Sequence, residues 1–111
     1  MEKEKLIELF EKVGIPFSEG ILSDDDTDNS EHIVFWDYIW EPISASGKSY
    51  SFNVTYQISF ISAEPRNAYL LKLISLLMDC DCPVEVYHEY IAKNRQWHSY
   101  FSLEVVEDLF L

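Results

Sequence analysis

The stretch Tyr50-Ser51-Phe52-Asn53-Val54-Thr55-Tyr56-Gln57-Ile58-Ser59-Phe60 alternates large apolar and small polar residues without a break. Side chains along a strand point to opposite faces in turn, so this pattern defines a β-strand with one buried face and one wet face. We read the strand over 49–61. Working forward, Glu64-Pro65 opens a helix over 65–79, in which Leu70, Leu73, Ile74 and Leu77 form an apolar stripe that Leu71, Leu76 and Met78 widen. Pro83 ends that unit. A third strand follows over 84–90, with Val84, Val86 and Tyr90 on one side. The turn Ala92-Lys93-Asn94-Arg95 leads into a fourth over 96–106. There Phe101, Leu103 and Val105 alternate with His98, Tyr100 and Glu104. Residues 107–111 are a short C-terminal tail.

Working backward, Pro42 and Ser44-Ala45-Ser46-Gly47-Lys48 connect to a first strand over 32–41. Its Ile33, Val34, Phe35, Trp36, Tyr38, Ile39 and Trp40 are apolar on both faces, as in a central strand or one with a face covered by a partner. Residues 18–31 are polar and turn-forming and read as an exposed acidic loop. Residues 2–13 form an amphipathic helix with Leu6, Leu9, Phe10 and Val13 on one side, stopped by Gly14 and Pro16. The order α-β-β-α-β-β implies an α+β fold. The sheet has four strands, mixed or antiparallel, and both helices pack on one face. The helix between strands two and three permits a parallel pair through a right-handed crossover.

The 111 residues suit one domain over 1–111. Eight basic and twenty acidic residues give a net charge of −12. That balance excludes a phosphate grip, which needs clustered Lys and Arg, and a polybasic membrane patch. A 48% hydrophobic and 15% aromatic composition excludes a disordered acidic tail. The N-terminal stretch has no signal-peptide pattern, and no apolar run reaches membrane-span length. Cys80 and Cys82 are too close in sequence for a relaxed disulfide, so reduced thiols in a cytosolic setting are expected.

No constellation carries catalysis. Asp24-x-Asp26-x-Asp28 begins like a calcium loop, but Asn29 and Phe35 stand where that loop needs Gly and Glu. Cys80, Cys82, His88 and His98 lack the knuckle spacing of a zinc site. Neither cysteine has an elbow glycine beside it or a Gly-rich loop to hold an oxyanion. Glu85 and Glu89 have strand spacing on one face, and solvated carboxylates are the ordinary reading of such a pair. We therefore expect no enzymatic activity, no metal and no cofactor. The aromatic content, with 3 Trp, 7 Tyr and 7 Phe, exceeds what a small core absorbs and points to interfaces. The candidate interface residues are Trp36, Tyr38, Trp40, Tyr87, Trp97 and Tyr100. The acids Asp24, Asp25, Asp26, Asp28 and Glu31 form a second candidate surface. Residues 1–31 hold ten acids and three bases, and residues 32–111 ten acids and five bases, so the excess is concentrated at the front.

The element order also carries several local phrases. These are Phe35-Trp36-Asp37-Tyr38, the Tyr50–Phe60 strand leading to Pro65-Arg66, Tyr87-His88-Glu89-Tyr90, and Trp97 through Val105. Together they make most of 1–106 resemble the tail terminator, or tail completion, proteins of long-tailed bacteriophages. The acidic stretch at 24–31 has no counterpart in that resemblance. The resemblance implies a non-enzymatic subunit of a ring, as a rule a hexamer. Such a ring caps the tail tube, joins it to the head, and contacts the tail tube and head-completion proteins. It implies a place at the head–tail junction of the virion, and in host cytoplasm during assembly. An acidic surface on such a ring repels phosphate, so that DNA passes without specific binding. The alternative is a small acidic inhibitor, a nuclease-toxin immunity or anti-defence protein, that binds a basic partner through the same carboxylates.

Overall fold

The alternation that defines the 49–61 strand is realised in a computed structural model of the chain, which describes residues 1–20, 31–43 and 51–109. The elements are α1 (Lys3–Val13), β1 (Phe17–Glu19), β2 (His32–Ile43), β3 (Ser51–Ser62), α2 (Ala68–Asp79), β4 (Tyr87–Ile91) and β5 (Gln96–Glu107). They make one α+β unit with a mixed five-stranded sheet in the order β1-β2-β3-β5-β4. Val54, Tyr56, Ile58 and Phe60 of β3 are fully buried. They meet the inward residues Ile33 and Phe35 of β2, and Phe101, Leu103 and Val105 of β5. The stripes Leu6, Leu9, Phe10, Val13 of α1 and Leu70, Leu73, Leu77 of α2 join the same cluster, so both helices cover one face of the sheet. Each such side chain contributes roughly 1.5–3 kcal/mol by leaving water.

A line of rings ties α1 to three strands. Phe10 lies 5.5 Å from Phe17 on β1 and 5.0 Å from Phe35 on β2, and Phe35 lies 5.8 Å from Tyr56 on β3. Gly14 makes the exit from α1 possible. Its φ of +88° is left-handed, and its N–H donates to the Phe10 carbonyl. At the start of α2, Asn67 accepts the Tyr69 N–H at 2.8 Å.

Several expectations are corrected. The sheet has five strands, not four, because Phe17–Glu19 pairs in parallel with Ile33–Phe35. Three residues carry no readable period, and the aromatic cluster holds them in place. The second and third predicted strands, now β3 and β4, run in the same direction but are not neighbours. β5 inserts between them and pairs antiparallel with both. The strand predicted over 84–90 is paired only from Tyr87; Val84 and Val86 pack on the core, while Tyr90 is half-exposed. Helix α2 begins at Ala68, after a turn at Pro65 and Arg66. Leu71 and Met78 do not widen its buried stripe, being 56% and 61% exposed. The C-terminal tail begins later than expected: β5 continues to Glu107 and Leu109 rests against the core.

β2 explains its own two-sided apolarity. Asp37 faces Tyr56 and Ile39 faces Thr55, so Tyr38 is an extra residue, a β-bulge. The inward parity of Ile33 and Phe35 breaks there, and beyond it Trp40 and Pro42 take the helix-side positions opposite Val54 and Phe52. β2 is a central strand only as far as Phe35, where β1 ends.

Candidate interaction surfaces

The pleat assigns the outward residues of β2, β3, β5 and β4 to one face, away from the helices. Val34, Trp36, Tyr38 and Ile39 come from β2, Thr55 and Gln57 from β3, His98, Tyr100 and Ser102 from β5, and Tyr87 and Glu89 from β4. Four of the six predicted interface aromatics meet on this face. The Tyr87 and Tyr100 rings are stacked, with centroids 5.6 Å apart and planes at 23°. Tyr38 reaches across β3, so that its hydroxyl lies 3.0 Å from Ser102 Oγ on β5. Trp36 is half-buried at the position opposite Gln57. Tyr38 and Tyr87 remain 51% exposed, a large aromatic area for a surface with no partner. A hydrogen bond to Glu85 holds the Tyr87 hydroxyl protonated and raises its pKa; the carboxylate charge adds to this.

The other two aromatics lie on the helix side and apart from each other, Trp40 on the open part of β2 and Trp97 on β5 between β3 and β4. Trp40 is 63% exposed, and its indole N–H donates to Asp37 Oδ2. Trp97 packs on Tyr90 of β4, with ring centroids 5.3 Å apart. The six therefore form one four-residue patch and two separate positions on the helix side.

Both edges of the sheet are open among the described residues. β1 pairs only with Ile33–Phe35, so β2 from Asp37 to Ile43 has no neighbour on that side. Pro42 fits such an edge, since its missing N–H weakens no ladder when it points outward. β4 borders the opposite edge with five residues. The exposed turn after it carries Lys93 and Arg95, the latter at φ +53°. Beyond the end of β4, β5 is covered in part by the N-terminus, where Val106 N–H donates to the Met1 carbonyl at 2.8 Å.

The predicted acidic surface is placed only at Glu31, half-buried just before β2; Asp24, Asp25, Asp26 and Asp28 lie outside the described residues. A different acidic region was not visible in the sequence. A groove of about 420 Å³ is lined by Glu2, Lys3 and Glu4, by Ser51 at the start of β3, and by Val106, Glu107 and Asp108. Behind it, the Tyr56 hydroxyl donates to Oε2 of the lining Glu107 at 2.7 Å. Burial first, and then this bond and the nearby carboxylates, push the Tyr56 phenol well above its usual range. Lys3 pairs with Glu19 at 2.9 Å and lies 5.7 Å from the Tyr56 ring centre. Nothing in the local sequence signals this cluster, because its members are far apart along the chain.

The weaker chemical motifs stay dispersed. Cys80 and Cys82 are both free thiols, and Cys82 Sγ lies 3.4 Å from the Cys80 carbonyl. His88 turns to the helix side, where its Nδ1 sits 2.7 Å from Ser99 Oγ, whereas His98 occupies the opposite face. Among the described residues no three His, Cys, Asp or Glu side chains are placed to hold a metal, and no helix is long and apolar enough to cross a membrane. The sequence matches no protein-family model and no curated protein.

Proposed function

We propose that this chain is a non-enzymatic assembly subunit that associates with further copies of itself as a tail terminator of a long-tailed phage. It caps the tail tube and joins it to the head as a ring. The observation that carries the reading is the pairing of an exposed aromatic face with two unlike edges, open among the described residues, on one small α+β unit. A closed ring is built from a heterologous interface, in which each copy offers two different surfaces. Tyr38, Tyr87 and Tyr100 supply aromatic area of the kind that dominates interface energetics. The charge of −12 supports passage of DNA, because a lumen rich in carboxylates repels phosphate. Sedimentation of the purified protein, alone and with purified tail tubes, tests the reading. A discrete oligomer in either condition supports it, and a monomer in both rejects it.

The same charge favours one second reading, an acidic inhibitor of a basic nuclease. That reading requires capture of a basic partner with affinity that falls steeply as salt rises, because exposed ion pairs are screened.

A further inference from the structure

The hydrogen-bonding direction of each strand follows from the sheet itself. Ile33 N–H donates to the Pro16 carbonyl and the Phe35 carbonyl accepts from Gly20, so these two residues point towards β1. In an antiparallel ladder the N–H and C=O of one residue point the same way, and neighbours alternate. The bulge at Tyr38 shifts this parity, which leaves Trp40 and Pro42 pointing out of the β2 edge. Carried across β3 and β5, the same alternation leaves His88 and Tyr90 pointing out of the β4 edge. β4 and β2 run in opposite directions within the sheet.

From this we infer that the β4 edge of one copy pairs antiparallel with the β2 edge of the next, opposite residues 37–41, and continues the sheet from subunit to subunit. The inference rests on the self-assembly reading above and specifies its interface. A second copy is the occupant because the two edges complement each other in three ways. The five residues of β4 fit the length that β1 leaves open on β2. Antiparallel pairing with helices on the same side sets outward His88 against outward Trp40, which allows a facing pair of backbone hydrogen bonds. That register places Glu89 opposite Ile39 and brings the Lys93 and Arg95 turn towards Asp37 and Glu19. The next register, with Tyr90 opposite Trp40, sets Glu89 against Glu41, and like charges directly opposite are destabilising.

Cysteine cross-linking tests the pairing. Ile39→Cys and Glu89→Cys are made singly, each in a Cys80→Ser, Cys82→Ser background. Within one chain the two positions are separated by three strand spacings, at least about 14 Å, and are further offset along the strands, whereas a disulfide spans at most about 7 Å between Cα atoms. Any link between them therefore joins two copies. Mixing the two variants under mild oxidation is expected to give a covalent heterodimer at ten or more times the yield of either variant alone. A companion variant, His88→Pro, removes an outward N–H and is expected to reduce assembly at least tenfold, with unchanged circular dichroism. If the protein assembles but the mixture gives no heterodimer, the edge pairing is overturned and the self-assembly reading stands. If the cysteine variants and the parent chain all remain monomeric with tail tubes present, both are overturned. If His88→Pro does not fold, the cross-linking result decides alone.

Discussion

Phe35→Ala is the most informative single perturbation of the fold. Phe35 is 1% exposed and touches three other rings, Phe10 at 5.0 Å, Tyr56 at 5.8 Å and Phe17 at 6.5 Å between centroids. It also sits where β1 meets β2, opposite Glu19. Removing a buried phenyl group costs about 3–5 kcal/mol through lost transfer energy and the cavity left behind. Ring pairs of this geometry add about 0.5–1.5 kcal/mol each beyond buried area. We expect a loss of about 4 kcal/mol, a large part of the 5–15 kcal/mol of stability of an ordinary domain. Urea unfolding followed by tryptophan fluorescence reads it directly, since Trp36 is the next residue. The double variant with Phe10→Ala should fall short of additivity by about 1 kcal/mol, the coupling expected of touching residues. Trp40→Ala, at a side chain 63% exposed, should cost about 0.5 kcal/mol or less. A loss below about 1 kcal/mol for Phe35→Ala, or equal losses for Phe35→Ala and Trp40→Ala, would refute the claim that the ring cluster fixes β1.

Four further outcomes follow from the same structure. Tyr56→Phe removes the bond to Glu107 and should cost about 1 kcal/mol near neutral pH. Because the folded Tyr56 phenol titrates above the unfolded value of 10.0, the unfolded chain loses this proton first as pH rises. The stabilisation is intact below pH 10 and declines above it, at up to about 1.4 kcal/mol per pH unit. Alkaline unfolding curves of the Tyr56→Phe variant should therefore be flatter than those of the parent. Gly14→Ala meets no neighbouring atom but forces a Cβ into φ +88°, and thermal melts should show a loss of about 1 kcal/mol. Asn67→Ala should lose about 1 kcal/mol with its N-cap bond, while Met78→Ser on the outer side of α2 should stay within about 0.5 kcal/mol. Tyr38→Ser combined with Tyr87→Ser should cost no more than about 2 kcal/mol, by loss of the Tyr38–Ser102 hydrogen bond and the Tyr87–Tyr100 stack, and weaken self-association at least tenfold by sedimentation.

Long, regular patterns were legible in the sequence. The alternation through Phe52–Phe60 identified β3 and its buried face, and the Leu70, Leu73, Leu77 spacing identified α2. β1 was not legible, because three residues do not make a period and Phe17 is fixed by rings on other elements. The bulge at Tyr38 had no local signal either. It separates Trp36 from Trp40, two residues that the sequence treats alike, and it creates the outward edge at Trp40. Aromatics beyond the core were foreseen as a group, but their division into one outward patch and two separate helix-side positions depends on strand order. The contact of Tyr56 with Glu107 arises only when β3 and β5 pair along their full length.

Sedimentation velocity over a range of protein concentrations, with and without purified tail tubes, separates a self-assembling subunit from a chain that stays alone. One discrete species is expected at two or more times the 13.1 kDa of the chain, its size independent of concentration once formed. A single 13.1 kDa boundary under every condition, with tubes present, would contradict it.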